Sequence, residues 1–336
     1  MILRLSFLSF QIPGKVIAVR LMLCALIFSL ALITLRFGTY PLSSGQILGI
    51  FIGGGDALER MIVLENRLPR LLTAIGAGVA FGLAGALFQT MLRNPLASPD
   101  WIGFTPGASF GALLAIYLTG GHIIFGALIG IAATAVVVLL LSFESGLNVR
   151  KLVLIGIGAN LSLAAAADLL LSRVDLMTAE DMSKWLVGAL NGRDWSDAAL
   201  IWGGLALLVP AAALLTLPLC SMMLTDDVAR GHGVALTPVR CAVAVTSVCC
   251  VALGVCVAGP LPFVAFLSGP IAKGLEGDGK PSLLSAALVG AIVVLAADYA
   301  SRLTPLVQLP TGVFTALIGA PCLLWVLVAT AKKGRI

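Results

Sequence analysis

Ten apolar runs, most of them about 20 residues long, dominate the sequence and leave few folds open to it. Such a run crosses a hydrocarbon core of about 30 Å as a helix that satisfies its own backbone hydrogen bonds. Hydrophobic residues make up 60% of the 336 residues and charged residues 11%, against roughly 25% charged in a soluble domain. We therefore predict an all-α polytopic membrane protein with about ten transmembrane helices. The predicted spans are 17–35, 69–92, 102–119, 123–142, 151–171, 198–220, 241–258, 260–273, 281–300 and 310–331.

Basic residues set the predicted orientation. With the amino terminus in the cytoplasm, thirteen of the 21 Lys and Arg residues fall in inner segments and eight in outer ones, which places both termini inside. The net charge of +5 then reflects membrane topology, so we predict membrane lipid and no nucleic acid as a partner. The first run lacks a small-residue cleavage site and is interpreted as a retained helix. Two outer connections, 37–66 and 172–197, are long enough to hold structure of their own.

Recognisable catalytic and metal-binding patterns are absent from the sequence. The seven cysteines lie in or at the ends of spans, so we predict no disulfide framework, no metal site and no cofactor. A membrane-embedded enzyme would need a cluster of His, Ser or carboxylate groups, and the sequence shows none. It also contains no GxxxxGK[ST] loop, so energy for active transport must come from an ion gradient or from a separate ATPase.

Charges inside spans are the usual signature of ion-coupled transport. The candidates are Asp168 and Asp298. Asp298 and Arg302 are four residues apart on one helix face, so we expect a local ion pair there. Two carboxylates are few for a proton relay, which leaves a proton-coupled secondary transporter as the weaker hypothesis.

Several segments, in chain order and over nearly the whole sequence, resemble the FecCD family of ABC-importer permeases. This family includes the vitamin B12 and ferric-siderophore permeases of bacterial inner membranes. The segments are RLPR from Arg67, RNPLASPDWIGFTPGA from Arg93, AGPLPFVAF from Ala258, LAADYASRL from Leu295 and LPTGVFTALIGAPCLLWVL from Leu309. The resemblance implies a BtuC-like ABC importer permease fold of ten helices, with residues 1–336 forming a single permease domain in the cell inner membrane.

The family also implies partners and sites. Its permeases act as homo- or heterodimers with two cytoplasmic ATP-binding subunits, and a periplasmic binding protein delivers the cargo. In this family, arginines that match Arg67, Arg70 and Arg302 receive acidic residues of the binding protein. Bidentate pairing with carboxylates explains why arginine suits that role.

The inner segment 221–240 resembles the short cytoplasmic helices with which the family contacts its ATPase. Asp226 and Asp227 are predicted to cap the start of such a helix, and Gly231 or Gly233 to end it. The resemblance places Ala229, Gly233 and Val234 on the side that faces the ATPase.

The expected cargo is a ferric siderophore, because the segments around Arg93 and Leu190 look most like those of catecholate-siderophore permeases. Heme and vitamin B12 are the alternatives. One departure from the family lies at Gly269 and Pro270, where relatives commonly have Pro and His. Any contact of that imidazole is therefore in doubt for this chain.

Overall fold

The computed structural model describes residues 2–5, 8–11, 13–38, 40–144, 146–277, 279–303 and 309–332. Within these ranges the chain is mainly helical, with a π-helix over Met61–Arg67 and a 3-10 helix over Pro99–Ile102. The α-helices are α1 (Gly14–Arg36), α2 (Ser44–Phe51), α3 (Ala57–Arg60), α4 (Leu68–Met91), α5 (Phe104–Thr119), α6 (Ile123–Ser142), α7 (Val149–Leu171), α8 (Leu176–Val187), α9 (Trp195–Met222), α10 (Asp226–Gly231), α11 (Leu236–Ala258), α12 (Val264–Glu276), α13 (Leu283–Arg302) and α14 (Thr311–Lys332).

A short antiparallel hairpin precedes the helices. Strand β1 (Ile2–Leu5) pairs with β2 (Leu8–Gln11), and Ile2 lies opposite Gln11. The sequence reasoning did not anticipate this hairpin, because runs of four residues are too short to show a clear period.

Each of the ten predicted spans coincides with one helix of the structure. Among the described residues, seven helical segments are long and apolar enough to cross a membrane. The shorter apolar helices are α5 and the segment Thr311–Leu324. The thirteen residues of α12 would reach only about 20 Å at 1.5 Å per residue. The all-α membrane fold is thus confirmed, whereas ten crossings stay a prediction. The long outer connections do hold structure, namely α2, α3 and the π-helix in one and α8 in the other.

Helix α12 begins later than the predicted span 260–273. The chain first passes through Pro260 and Pro262, and Phe263 adopts a left-handed conformation with φ of 65°. Proline removes backbone donors and fixes φ, so the helix forms only from Val264 onward. It then continues past Lys273 to Glu276, and Gly277 ends it in a left-handed conformation.

Helix α4 is the centre of the bundle. It packs against α1, α9, α11, α12 and α13, and 83% of its most apolar window is buried. Small residues permit this packing: a Cβ built on Gly78 would overlap the backbone of Gly290, and one on Gly82 would overlap Ala286. Gly78 and Gly82 form a GxxxG face, and the helix that packs closely against it is α13.

Polar contacts join the helix ends into two groups. At the predicted outer end, the Trp195 indole at the start of α9 donates to the Leu64 carbonyl at 3.0 Å, and Trp202 donates to Leu72 at 3.2 Å. At the predicted inner end, Arg20 of α1 pairs with Glu276 of α12 at 3.2 Å. These contacts join only segment ends that the predicted topology places on the same side of the membrane.

Candidate functional site

The outer candidate site is built around Asp298 of α13. Both nitrogens of one edge of Arg70 donate to its Oδ1, at 3.0 Å from Nε and 2.7 Å from Nη2. Arg302, one turn further along α13, donates to Oδ2 at 2.5 Å, and the Thr311 hydroxyl lies 3.5 Å from Oδ1. The expected local pair between Asp298 and Arg302 is confirmed, and Arg70 joins it from another helix.

Arg67 lies at the same end of the bundle but binds backbone instead of a carboxylate. Its Nη1 donates to the Leu35 carbonyl at 2.6 Å, and its Nη2 donates to the Tyr40 carbonyl at 2.5 Å. Leu35 lies in the last turn of α1, where carbonyls have no partner within the helix. Arg67 therefore satisfies the end of α1 and the start of the following loop.

The local sequence explains how two arginines reach these partners. Arg67 is the last residue of the π-helix, and Leu68 follows at the start of α4. Pro69 occupies the first turn of α4, where its missing N–H would have no partner anyway. Because Arg67 and Arg70 are three residues apart, both side chains leave the start of α4 on nearly the same face.

The three predicted docking arginines are present together but largely buried. Arg67 is 5% exposed, and the side chains of Arg70 and Arg302 are each 12% exposed. Among the described side chains, Arg70 and Arg302 pair with Asp298, whereas Arg67 binds backbone carbonyls, so the three guanidinium groups and this carboxylate carry an excess of two positive charges.

The inner candidate site is α10, which lies between α9 and α11. Its N-cap residue is Thr225, so Asp226 and Asp227 occupy the first turn and are not the cap itself. Their carboxylates still face the positive end of the short helix, which stabilises it. The prediction of a helix that starts here is confirmed, with the cap shifted by one residue.

The end of α10 depends on Gly233 and not on Gly231. Gly233 has a left-handed φ of 79°, its N–H donates to the Arg230 carbonyl at 2.9 Å, and the Val234 N–H donates to Ala229 at 3.1 Å. This pair of bonds is the Schellman arrangement that ends many helices. Gly231 is the last helical residue, and a Cβ added to it would meet no described atom within 4 Å.

The predicted ATPase-facing residues differ in accessibility. Ala229 is fully buried and packs beneath α10 against the transmembrane core, because the helix must rest on an apolar side. Gly233 is exposed and Val234 is half-buried. The accessible charges of α10 are Asp227, with 92% of its side chain exposed, and Arg230, with 65% exposed.

Asp226 connects α10 to the core of the bundle. Its Oδ1 accepts a hydrogen bond from Arg93 at 2.6 Å, and its Oδ2 accepts one from Arg240 at 2.7 Å. Partial burial alone would raise the pKa of Asp226, but hydrogen bonds from the two guanidinium groups outweigh this effect and lower the pKa below its ordinary value. Asp226 is thus a carboxylate at neutral pH.

Sequence reasoning missed Arg93, Arg240 and the cross-helix role of Arg70. The signal that could have found them is the scarcity of charge: in a chain with 11% charged residues, most charges near a span need a partner. The predicted topology places Arg93 and Arg240 on the same membrane side as Asp226, which makes them candidate partners without identifying them.

The remaining intramembrane carboxylate, Asp168, lies on the exposed side of α7. Within the described part of the chain its side chain has no hydrogen-bond partner, so a structural hydrogen bond is not seen for it. Asp298 accepts hydrogen bonds from Arg70 at Oδ1 and from Arg302 at Oδ2. Among the described residues, no hydrogen bond joins the two carboxylates.

The departure at Gly269 has a local explanation. Gln89 of α4 donates to the Phe266 carbonyl of α12 at 2.9 Å, and its Oε1 lies against Gly269, where any Cβ would overlap it. A glycine at position 269 thus accommodates the Gln89 amide. Pro270 follows inside α12 and supplies no side-chain hydrogen bond in place of an imidazole.

No group of three or more His, Cys, Asp or Glu residues that could hold a metal ion occurs among the residues with described positions.

Comparisons with known proteins agree with one another. The model of the FecCD transport family matches residues 23–329. The ferric enterobactin transport system permease protein FepG of Escherichia coli (strain K12) is 35% identical over 321 residues, which cover 93% of this chain and 97% of the relative. The achromobactin transport system permease protein CbrC of Dickeya dadantii (strain 3937) is 33% identical, and the match covers 90% and 89% of the two chains.

A solved structure is also similar. A metal-chelate type ABC transporter in an inward-facing conformation superposes with a TM-score of 0.83 at 29% sequence identity. The match covers 93% of this chain and 99% of that one.

Proposed function

Because this chain belongs to the FecCD transport family, we propose that it is the permease subunit through which an ABC importer carries a ferric siderophore across the bacterial inner membrane. The relatives reported above are named for ferric enterobactin and achromobactin transport. The proposed cargo is accordingly an iron chelate, received from a periplasmic siderophore-binding protein. Chemical energy comes from ATP-binding subunits on the cytoplasmic side.

The observation that carries the proposal is the placement of two charged sites at opposite ends of one apolar bundle. The outer site contains Arg67, Arg70 and Arg302, and the inner site contains α10 with its exposed Asp227 and Arg230. An importer permease must contact a soluble protein on each side of the membrane. A secondary transporter needs neither surface.

At the outer site we infer that acidic side chains of the binding protein approach the rim of the arginine cluster. Asp298 already engages Arg70 and Arg302 from inside, which fixes the two guanidinium groups and leaves the cluster with excess positive charge. Electrostatic complementarity of this kind steers docking and selects an acidic partner.

At the inner site we infer that the exposed side of α10 enters a groove of the ATP-binding subunit. Asp227, Arg230, Gly231 and Gly233 supply that surface, with Val234 at its edge. Ala229 supports the helix from beneath. The segment 221–240 is then the coupling segment of one permease domain that comprises residues 1–336, and a second permease subunit, identical or related, completes the importer.

Uptake measurements test the proposal. A bacterial strain that lacks only this chain should fail to accumulate the ferric chelate and should recover when the chain is restored. We expect recovery for ferric catecholates and not for heme or vitamin B12. The control is the same strain with a chain from which residues 226–231 of α10 are deleted. Recovery for heme or vitamin B12 alone would refute the proposed cargo.

A further inference from the structure

One carboxylate joins three helices at the inner end of the bundle. Asp226 is the first residue of α10, Arg93 follows the end of α4, and Arg240 lies in the second turn of α11. Arg93 also donates from its Nε to the Met222 carbonyl at 2.5 Å, which adds the last residue of α9. We refer to Arg93, Asp226 and Arg240 as the inner junction.

The backbone at Arg93 shows that this arrangement has a conformational cost. Arg93 has a positive φ of 50°, which is uncommon for residues other than glycine. The left-handed turn directs the chain away from α4 while the side chain reaches back to α9 and α10. Such a conformation persists where the surrounding contacts hold it in place.

Helix α4 connects the inner junction to the outer end of the bundle. This helix is the most buried span of the bundle, and it carries Arg70 at its other end, where Arg70 binds Asp298. A displacement of α10 that moves Asp226 therefore pulls directly on the inner end of α4. The outer end of the same helix belongs to the proposed docking site.

We propose that Asp226 is the positioning residue that transmits movement of α10 to α4, through its ion pairs with Arg93 and Arg240. The inference rests on the proposed function, because it takes α10 as the helix that contacts the ATP-binding subunit. It assigns to the inner junction a role distinct from contact with that subunit: the junction lies between the contact surface and the transmembrane core.

Glu144 provides a control carboxylate outside the surface proposed to contact the ATP-binding subunit. It lies between α6 and α7, at the inner end in the predicted topology, and its side chain is 60% exposed and pairs with Lys151 of α7 at 2.8 Å. Asp226→Asn and Glu144→Gln each replace a carboxylate by its amide and remove one negative charge. They differ in whether the ion pairs of the inner junction are lost.

The experiment reconstitutes the permease with its ATP-binding subunit and binding protein in liposomes. Yield of the complex, ATP hydrolysis and uptake of the ferric chelate are measured for wild type and both variants. We expect Asp226→Asn to lower uptake by about tenfold or more, while complex yield and hydrolysis stay within about twofold. Glu144→Gln should keep uptake within about twofold. Equal uptake in the two variants would overturn the proposal.

A second set of variants covers the case in which Asp226→Asn does not assemble. Arg93→Asn keeps a residue that tolerates the left-handed backbone, lies outside segment 221–240, and removes one ion pair of the junction. We expect the Arg93→Asn permease to assemble and to lose uptake. In double-variant preparations that assemble, adding Asp226→Asn should cause no further loss of uptake. Normal uptake by Arg93→Asn, or independent multiplicative losses, would overturn the proposal. Failure of the wild-type chain to bind the ATP-binding subunit would instead refute the proposed function.

Discussion

Arg67 shows how a single charged residue is accommodated at the end of an apolar bundle. Its guanidinium group is almost fully buried and donates to carbonyls at the end of α1 and in the following loop. Several donors at fixed angles can satisfy several backbone acceptors at once, which a lysine cannot do with the same geometry. The residue thus holds α1 and the π-helix together at the outer end.

Replacement of Arg67 by Gln should therefore destabilise the protein itself. The carbonyl of the buried residue Leu35 would lose its donor, and an unsatisfied buried group costs about 1–3 kcal/mol. The carbonyl of Tyr40, an exposed residue, would lose a donor at a smaller cost. Thermal unfolding of the purified chain in nanodiscs measures the effect. Arg60→Gln is the control, because Arg60 is exposed and makes one bond to Gly53 at 3.3 Å. A loss no larger than that of the control would contradict the structural role.

The pH dependence of stability should report the ion pairs of Asp226. A carboxylate with a lowered pKa stabilises the folded state above its unfolded pKa, about 3.9, and this contribution disappears as pH falls through the folded pKa. The midpoint of thermal unfolding for wild type should exceed that of Asp226→Asn by a constant amount from pH 8 to about 5. The difference should begin to shrink near pH 4 and should vanish only below the folded pKa, which is lower than the unfolded value. Because these pairs are partly exposed, we expect about 1 kcal/mol or less. A difference that grows on acidification would contradict this assignment.

Residue-level prediction from sequence succeeded where partners are close along the chain. The pair of Asp298 and Arg302 followed from a spacing of four residues, which places two side chains on one helix face. Arg70 is 228 positions from Asp298, and no periodicity reveals such a contact. The burial of Ala229 was likewise hidden, because a helix of six residues shows no reliable apolar face.

At the scale of elements, α10 illustrates how backbone geometry fixes a short helix. Two bonds after its last turn close the Schellman arrangement, and they require a left-handed residue at position 233. The neighbouring Gly231 has ordinary helical surroundings. Although the two glycines are close in sequence, they impose different requirements.

Alanine at the two positions should separate these requirements. Gly233→Ala forces a left-handed conformation on an alanine, at a cost of about 1–2 kcal/mol, and should reduce complex yield with the ATP-binding subunit. Gly231→Ala should be neutral or slightly stabilising, because alanine is the better helix former. Co-purification with the subunit measures both. A wild-type yield for Gly233→Ala would show that the left-handed end of α10 is not needed for assembly.

Element boundaries followed from sequence to within a few residues for most spans. Helix α11 begins at Leu236 and not near Cys241, because polar residues can extend a helix beyond the apolar run that predicts it. Helix α12 was displaced by the prolines before it. The short helices within the outer connections, including the π-helix, have no apolar period, so their positions could not be predicted from sequence.

For the molecule as a whole, the two candidate sites belong to one continuous set of packed helices. Helix α4 has Arg70 near its outer end and Arg93 just beyond its inner end. It also packs closely on α13, which carries Asp298 and Arg302. A single buried helix therefore lies between the proposed docking site and the proposed contact with the ATP-binding subunit.

Docking of the binding protein should depend on the outer arginines and on salt. Arg302→Gln removes one buried guanidinium group from the cluster, and coupling between close charges at interfaces is roughly 1.5–7 kcal/mol, so affinity should fall at least about tenfold. Arg36→Gln removes an exposed charge from the same end and should change affinity by less than about threefold. Binding to nanodisc-embedded permease at low and high salt measures both.

Two results would decide against the docking assignment. One is unchanged affinity for Arg302→Gln in a correctly assembled complex. The other is an equal loss in the two variants, which would indicate a general effect of surface charge. A loss of folded protein, detected by size-exclusion chromatography, identifies a structural defect in place of a docking defect.

The indole hydrogen bonds at the outer end give the protein a built-in optical reporter. Trp195 and Trp202 of α9 donate to carbonyls of Leu64 and Leu72, which lie before and within α4. Indole emission changes wavelength and intensity when the ring loses a hydrogen-bond acceptor or meets water. Any separation of α4 from α9 therefore changes the ultraviolet fluorescence of the unlabelled chain, where it can be followed in real time during a transport cycle.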